Sequence, residues 1–205
     1  MTFPRNTPES ARRNRLLAAL PDPDLDALMA VLDPMPLPFK WTVIQPNEPT
    51  EYVYFPTEGI VSLTGSADDE RSVEVATIGN EGMVGLAAFL KVRSVPLTAI
   101  VQIAGNAVRM RVNAFEEQLE NGNGLDGVLR RYTQALLTQI AQSVVCNRLH
   151  SMDERLARWL LMSHDRVQEN ELPLTQEFMS VMLGVNALRG ALRDPRRRTA
   201  GRSYA

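Results

Sequence analysis

Apolar positions along the chain change period twice. Leu25, Leu28, Met29 and Leu32 recur at spacings of three and four, which predicts one apolar helical face over Asp22–Leu32. Asp22 reads as its N-cap with Pro23 at the first helical position, and Asp24 and Asp26 complement the helix dipole. A shorter helical signal precedes it at Arg15–Leu20, and residues 1–14 read as a flexible arm. Asp33–Pro38 contains three prolines and ends the helix. From Phe39 to Val112 the texture changes to short β-type runs: Lys40–Ile44, Tyr52–Phe55, Ile60–Thr64, Ser72–Ile78, Leu97–Ile103 and Ala107–Val112. Turn signals such as Pro46-Asn47, Glu58-Gly59, Gly79-Asn80-Glu81-Gly82 and Gly105-Asn106 separate them. Such spacing predicts a compact antiparallel β-barrel or jelly roll.

Helical spacing returns at Asn113, which forms a capping-box pattern with Glu116. A long run follows from Leu125 to Leu149, with Leu125, Leu129, Tyr132, Leu136, Ile140 and Val144 in one row. A second row, Val128, Ala135, Leu137, Ala141 and Val145, makes it apolar on two sides. At about 1.5 Å per residue the helix spans roughly 37 Å, longer than the barrel beside it. One side can cover the barrel, and the other calls for a second copy about a twofold axis. The expected dimer seam is Leu129, Tyr132, Leu136, Ile140 and Val144; a helix internal to one domain is the alternative.

Ser151 with Glu154 is a capping box that restarts a helix through Val167, with Leu156, Trp159 and Leu160 on one face and Arg155, Arg158 and Asp165 toward water. His150 and Ser151 therefore mark a hinge. Beyond Pro173, Thr175 caps a short helix, Gln176–Leu183, which Gly184 ends. This is the opening of a helix-turn-helix pattern. The expected class is α+β: a β-barrel with N-terminal helices over 15–124, a long dimerisation helix over 125–150, a partial helix-turn-helix unit over 151–185 and a basic tail over 186–205.

Composition narrows the picture. A chain of 205 residues with 44% hydrophobic and 22% charged residues is long enough to bury a core without metals or disulfides. Its one cysteine, Cys146, forms no internal bridge and reads as a small buried residue, with a redox thiol as the alternative. No apolar run reaches membrane-spanning length, and residues 1–15 lack a signal-peptide core, so a cytoplasmic address is expected. The net charge of −2 conceals six arginines and one acid in residues 186–205. A tail of that kind is either a nucleic-acid contact or a solvated end.

The order of short helices, barrel, long helix, hinge and helix-turn-helix start resembles the family of cyclic-AMP receptor protein and fumarate-nitrate regulator (Crp/Fnr) transcription factors. Tyr52-Val53-Tyr54-Phe55-Pro56-Thr57-Glu58-Gly59-Ile60-Val61-Ser62-Leu63 looks like its strand–turn–strand. Ile78-Gly79-Asn80-Glu81-Gly82-Met83-Val84-Gly85 looks like its loop into the effector pocket. Asp153 to Leu161 and Leu174 to Val185 look like the first helix of its DNA domain and the first of its reader. The resemblance implies a homodimer that binds a palindromic operator and an effector pocket at Gly82, Met83, Gly85, Leu86 and Phe89. It also implies a phosphate contact from Thr175 and a phosphate or base contact from Gln176. Tail arginines such as Arg189, beyond the resemblance, are expected to meet DNA phosphates only non-specifically, through charge.

Nucleotide-binding members follow the loop with Gly-Glu and, about ten residues on, Arg-Ser. Here Leu86 stands at the Glu position, and Pro96 and Leu97 near the Arg-Ser positions. A buried phosphate without a cation is costly, so a cyclic nucleotide is not the expected effector, although Arg93-Ser94 could substitute after a loop shift. One cysteine is too few for an iron–sulfur cluster, and His150 and His164 lie beyond the barrel, so no haem, metal or other cofactor is expected. Residues 39–112 hold no histidine for a cupin-type metal site, and no nucleophile–His–acid set stands out, so the chain reads as a non-enzyme. After Val185 the sequence departs from a recognition helix. One set of codons for Asn186-Ala187-Leu188-Arg189, shifted by one base, reads Thr-Pro-Ser-Val, so a truncated, out-of-frame winged helix is expected.

Overall fold

In the computed structural model the described residues are 6–68, 71–122 and 124–167. Seven strands are present among them: β1 (Asp33–Leu37), β2 (Thr42–Ile44), β3 (Tyr52–Pro56), β4 (Ile60–Asp68), β5 (Arg71–Ile78), β6 (Thr98–Ile103) and β7 (Gly105–Arg111). They form two antiparallel sheets, ordered β1-β7-β3 and β2-β6-β4-β5. Period-2 alternation explains the stacking. Leu37, Tyr54 and Ala107 of the first sheet meet Ile44, Val61, Ile78 and Val101 of the second inside the roll. The opposite face of the first sheet, Val53, Phe55, Val108 and Met110, packs on helices. These are α1 (Pro8–Ala11), α2 (Arg15–Ala18), α3 (Asp22–Met29), α4 (Val112–Glu120) and α5 (Leu125–Leu149). Leu17, Leu25, Leu28, Phe55, Phe115, Leu125 and Leu129 are fully buried there. Each contributes about 1.5–3 kcal/mol by leaving water.

Several local expectations are corrected. Asp33–Pro38, read as a helix-ending proline stretch, is largely the strand β1. It pairs only with β7, and an edge strand tolerates proline because only one side of it must donate. The flexible arm is packed from Thr7 onward: Thr7 and Ser10 form a capping box, and Asn14 is fully buried. Helix α3 ends at Met29, and Pro21 rather than Asp22 is its cap, without a side-chain hydrogen bond. The Asp24 carboxylate instead accepts from the Gly124 N–H at 2.8 Å, joining α3 to the start of α5. The Asn113–Glu116 box does not form, because α4 starts at Val112 with Arg111 as its N-cap and Asn113 lies inside the helix; Arg93 instead donates to Asn113 Oδ1 at 3.4 Å and Glu116 Oε2 at 2.8 Å.

Helix α5 has the bounds that its sequence pattern predicts, and His150 ends it in extended backbone. The Ser151–Glu154 capping box then starts α6 (Met152–Val167): the Ser151 N–H donates to Glu154 Oε2 at 2.8 Å, and the Glu154 N–H to Ser151 Oγ at 3.4 Å. That helix folds back onto β4, burying Trp159 and Ser163.

Candidate effector loop and its coupling to the long helices

The connection from β5 to β6 carries the five residues expected to line an effector pocket. Gly85 sits at φ +93°, where a side chain is strained, and caps the 3-10 turn Leu86–Ala88. Val84 exchanges two backbone hydrogen bonds with Tyr54, at 3.0 and 2.8 Å. Beneath the loop, the Asn14 amide donates to Pro56 O at 2.9 Å and Gly82 O at 2.8 Å. On the α5 side, Tyr132 Oη donates to Met83 O at 3.2 Å. Burial pushes the Tyr132 phenol above its ordinary pKa, so it stays a neutral donor. A Cβ on Gly82 would fall 2.4 Å from that hydroxyl, so glycine is what lets the ring approach.

The five residues share one turn, but several are packing rather than pocket wall. Met83 is fully buried in the helix-side core, and Leu86 and Phe89 pack against that core while half-buried. Arg93, the cation a loop shift could have offered to a phosphate, is engaged by Glu116.

The seam row also needs correction. Leu129, Tyr132 and Leu136 are buried against the roll, Ile140 is half-buried, and Val144 is 64% exposed. Each four-residue step turns about 40° around a helix, so a row built mostly of such steps drifts from the barrel face to the open face. The open apolar edge is Leu137, Ala141, Val144 and Val145, with Leu149 beyond. Cys146 is buried and accepts from Gln142 Nε2 at 3.3 Å. Thr175, Gln176 and Arg189, with the helix Gln176–Leu183 and the tail, lie outside the described residues.

Sequence reading missed a polar cluster beneath α6. Ser62 Oγ lies 2.6 Å from both Glu74 Oε2 and Gln102 Oε1. Thr77 Oγ1 donates to Glu74 Oε1 at 2.8 Å, and Gln102 Nε2 donates to Ser163 Oγ at 3.4 Å. Burial pushes the Glu74 carboxyl up to about 7, against hydrogen bonds from Ser62 and Thr77 and a looser approach of the Trp159 indole. At the edge, Arg166 Nε pairs with Glu81 Oε1 at 2.8 Å. Glu81 also accepts from the Gly79 N–H at 3.2 Å, so α6 is tied to the start of the effector loop.

Residues 40–121 match the family model described as the cyclic nucleotide-binding domain. Among solved structures, the chain is similar to CLP, a c-di-GMP responsive global regulator of Xanthomonas campestris, with a TM-score of 0.65 at 13% identity over 80% of this chain and 86% of that one. It is similar to FixK2 of Bradyrhizobium japonicum with a TM-score of 0.65 at 20% identity, over 76% of this chain and 78% of that one. The regulatory subunit of a cAMP-independent protein kinase A from Trypanosoma brucei aligns with a TM-score of 0.53 at 21% identity, over 62% of this chain and 45% of that one. No curated protein sequence matches. Among the described residues no helix is long and apolar enough to cross a membrane. Residues 40–121 thus have the cyclic nucleotide-binding domain fold, with helices α1–α3 preceding its strands and α5 and α6 following.

Proposed function

We propose that the chain is a homodimeric transcription regulator of the Crp/Fnr type, acting in the cytoplasm without a resident cofactor and without catalysis. The observation that carries this reading is the hydrogen bond from Tyr132 to Met83. It joins the effector loop to a 25-residue helix whose other edge is apolar and open. Movement of the loop is thereby movement of the expected dimer helix, the kind of shift that reorients domains. Likeness to CLP and FixK2 supports the reading at the level of fold. Leu86 and the engaged Arg93 support an effector other than a cyclic nucleotide. Thr175 and Gln176 would meet the operator, and Arg189 the phosphates.

A second reading, a dimeric ligand-sensing barrel that does not read sequence, is favoured by α6, whose Trp159 is buried against the roll. Operator selection from a random duplex pool, run on the full chain at about 0.1 M salt, separates the two. Enrichment of a palindrome, lost in Thr175→Ala, supports the regulator. A dimer that enriches nothing overturns it in favour of the second reading.

A further inference from the structure

A cleft of 280 Å³ opens beside β2 and β3. Thr50, Tyr52, Tyr54 and Arg109 line it, with Glu48 and Glu51. It is distinct from the loop Gly79–Phe89. Two of its polar atoms, Thr50 Oγ1 and Arg109 Nε, are buried without a hydrogen-bond partner. A buried polar atom left unpaired is costly, and two beside one cleft point to a ligand that pairs both.

The surroundings define that ligand's chemistry. Arg109 has no carboxylate within ion-pair distance among the described residues. Its guanidinium instead stacks 4.3 Å from the Tyr52 ring, which Arg111 also approaches at 4.9 Å. The Tyr54 phenol, held neutral by burial, stands beside Arg109, with Trp41 edge-on to its ring at 6.0 Å. The Thr50 backbone is held by its N–H, which donates to Arg93 O at 2.7 Å. The cleft therefore offers a planar cation, a hydroxyl and aromatic walls. Exposed Glu48 and Glu51 on the lining repel a multiply charged anion more strongly than a singly charged one. The volume suits a small molecule rather than a dinucleotide.

We infer that this cleft binds a small aromatic monocarboxylate, its carboxylate meeting Arg109 and Thr50 and its ring lying against Tyr52 and Tyr54. The site goes beyond the proposed function and stands whether or not the chain reads an operator.

The full chain is titrated with benzoate by calorimetry and by thermal unfolding, beside benzamide, which has the same shape without the charge, and inorganic phosphate. Saturable benzoate binding that raises Tm is expected, with the other two at least about tenfold weaker. Thr50→Val keeps the shape and removes one orphaned oxygen. It lowers benzoate affinity about tenfold while leaving the ligand-free Tm unchanged or higher. Arg109→Lys keeps a charge but loses the fork, with a loss at least as large. Absence of saturable benzoate binding up to about 10 mM, equal binding of benzamide or phosphate, or unchanged affinity in Thr50→Val overturns the assignment.

Discussion

Tyr132 and Met83 lie 49 positions apart in sequence, yet the hydroxyl of one donates to the carbonyl of the other at 3.2 Å, and Gly82 leaves the space for it. Tyr132→Phe orphans a buried carbonyl and lowers unfolding stability by about 1–3 kcal/mol. Gly82→Ala drives a Cβ into the ring and costs a similar amount by overpacking. Because the phenylalanine lacks the nearest colliding atom, the double variant loses less than the sum of the two. Urea titration of the four proteins measures the coupling, and strict additivity would contradict this contact.

Glu74 sets a pH dependence. Ser62 has one hydroxyl proton and two acceptors at 2.6 Å, so with Gln102 Oε1 facing Ser62, a protonated Glu74 completes the chain Glu74 to Ser62 to Gln102 to Ser163. The docked carboxyl titrates near 7, against 4.5 when free. The docked state therefore holds the extra proton between those values. Docking of α6 weakens as pH rises from about 4.5 to about 7 and is level above that range. Arg166 and Glu81 border the cluster as an ion pair. Trp159 emission, followed in a Trp41→Phe background, reports the docking. Glu74→Gln supplies the same donor without a charge and flattens the profile; a profile equally steep in that variant sinks the assignment.

On α5 two adjacent leucines differ in role. Leu136 is buried against the roll and Leu137 is 56% exposed. Leu136→Ala costs about 2–5 kcal/mol in unfolding stability. Leu137→Glu together with Val144→Glu leaves monomer stability nearly unchanged but abolishes the proposed dimer, read as mass by light scattering. Dimers that persist in the double variant would move the seam elsewhere.

What the sequence made legible follows from how local each signal is. Helix α5 and the Ser151 capping box rest on spacing within a few turns, and both stand in the structure. Strand β1 was hidden because Pro34 and Pro36 argue against a strand unless its edge position is known, and edge position is a property of the whole sheet. Ser62, Glu74 and Gln102 alternate with apolar neighbours and read as a solvent face; only the return of α6 buries them. The drifting row of α5 runs from the barrel face to the open face, so the expected seam took in Leu129, Tyr132 and Leu136, which pack on the roll. The cleft beside Arg109 joins β2, β3 and β7 and has no contiguous motif.

Asn14 gives the sharpest test of the packed N-terminal segment. Its amide nitrogen donates to Pro56 O and Gly82 O, while Oδ1 accepts from the N–H groups of Leu16 and Leu17. One side chain thus caps α2 and holds β3 and the effector loop. Asn14→Ala removes the cap, about 1 kcal/mol, and orphans two buried carbonyls at about 1–3 kcal/mol each. Asn14→Asp is nearly isosteric and an equally good cap. It presents an acceptor to both carbonyls, though, and buries a charge. The aspartate is therefore expected to destabilise at least as much as the alanine, which reverses the order for an exposed cap. Urea midpoints at neutral pH decide it: an aspartate variant as stable as the parent would mean that the residue only caps a helix on a loose arm.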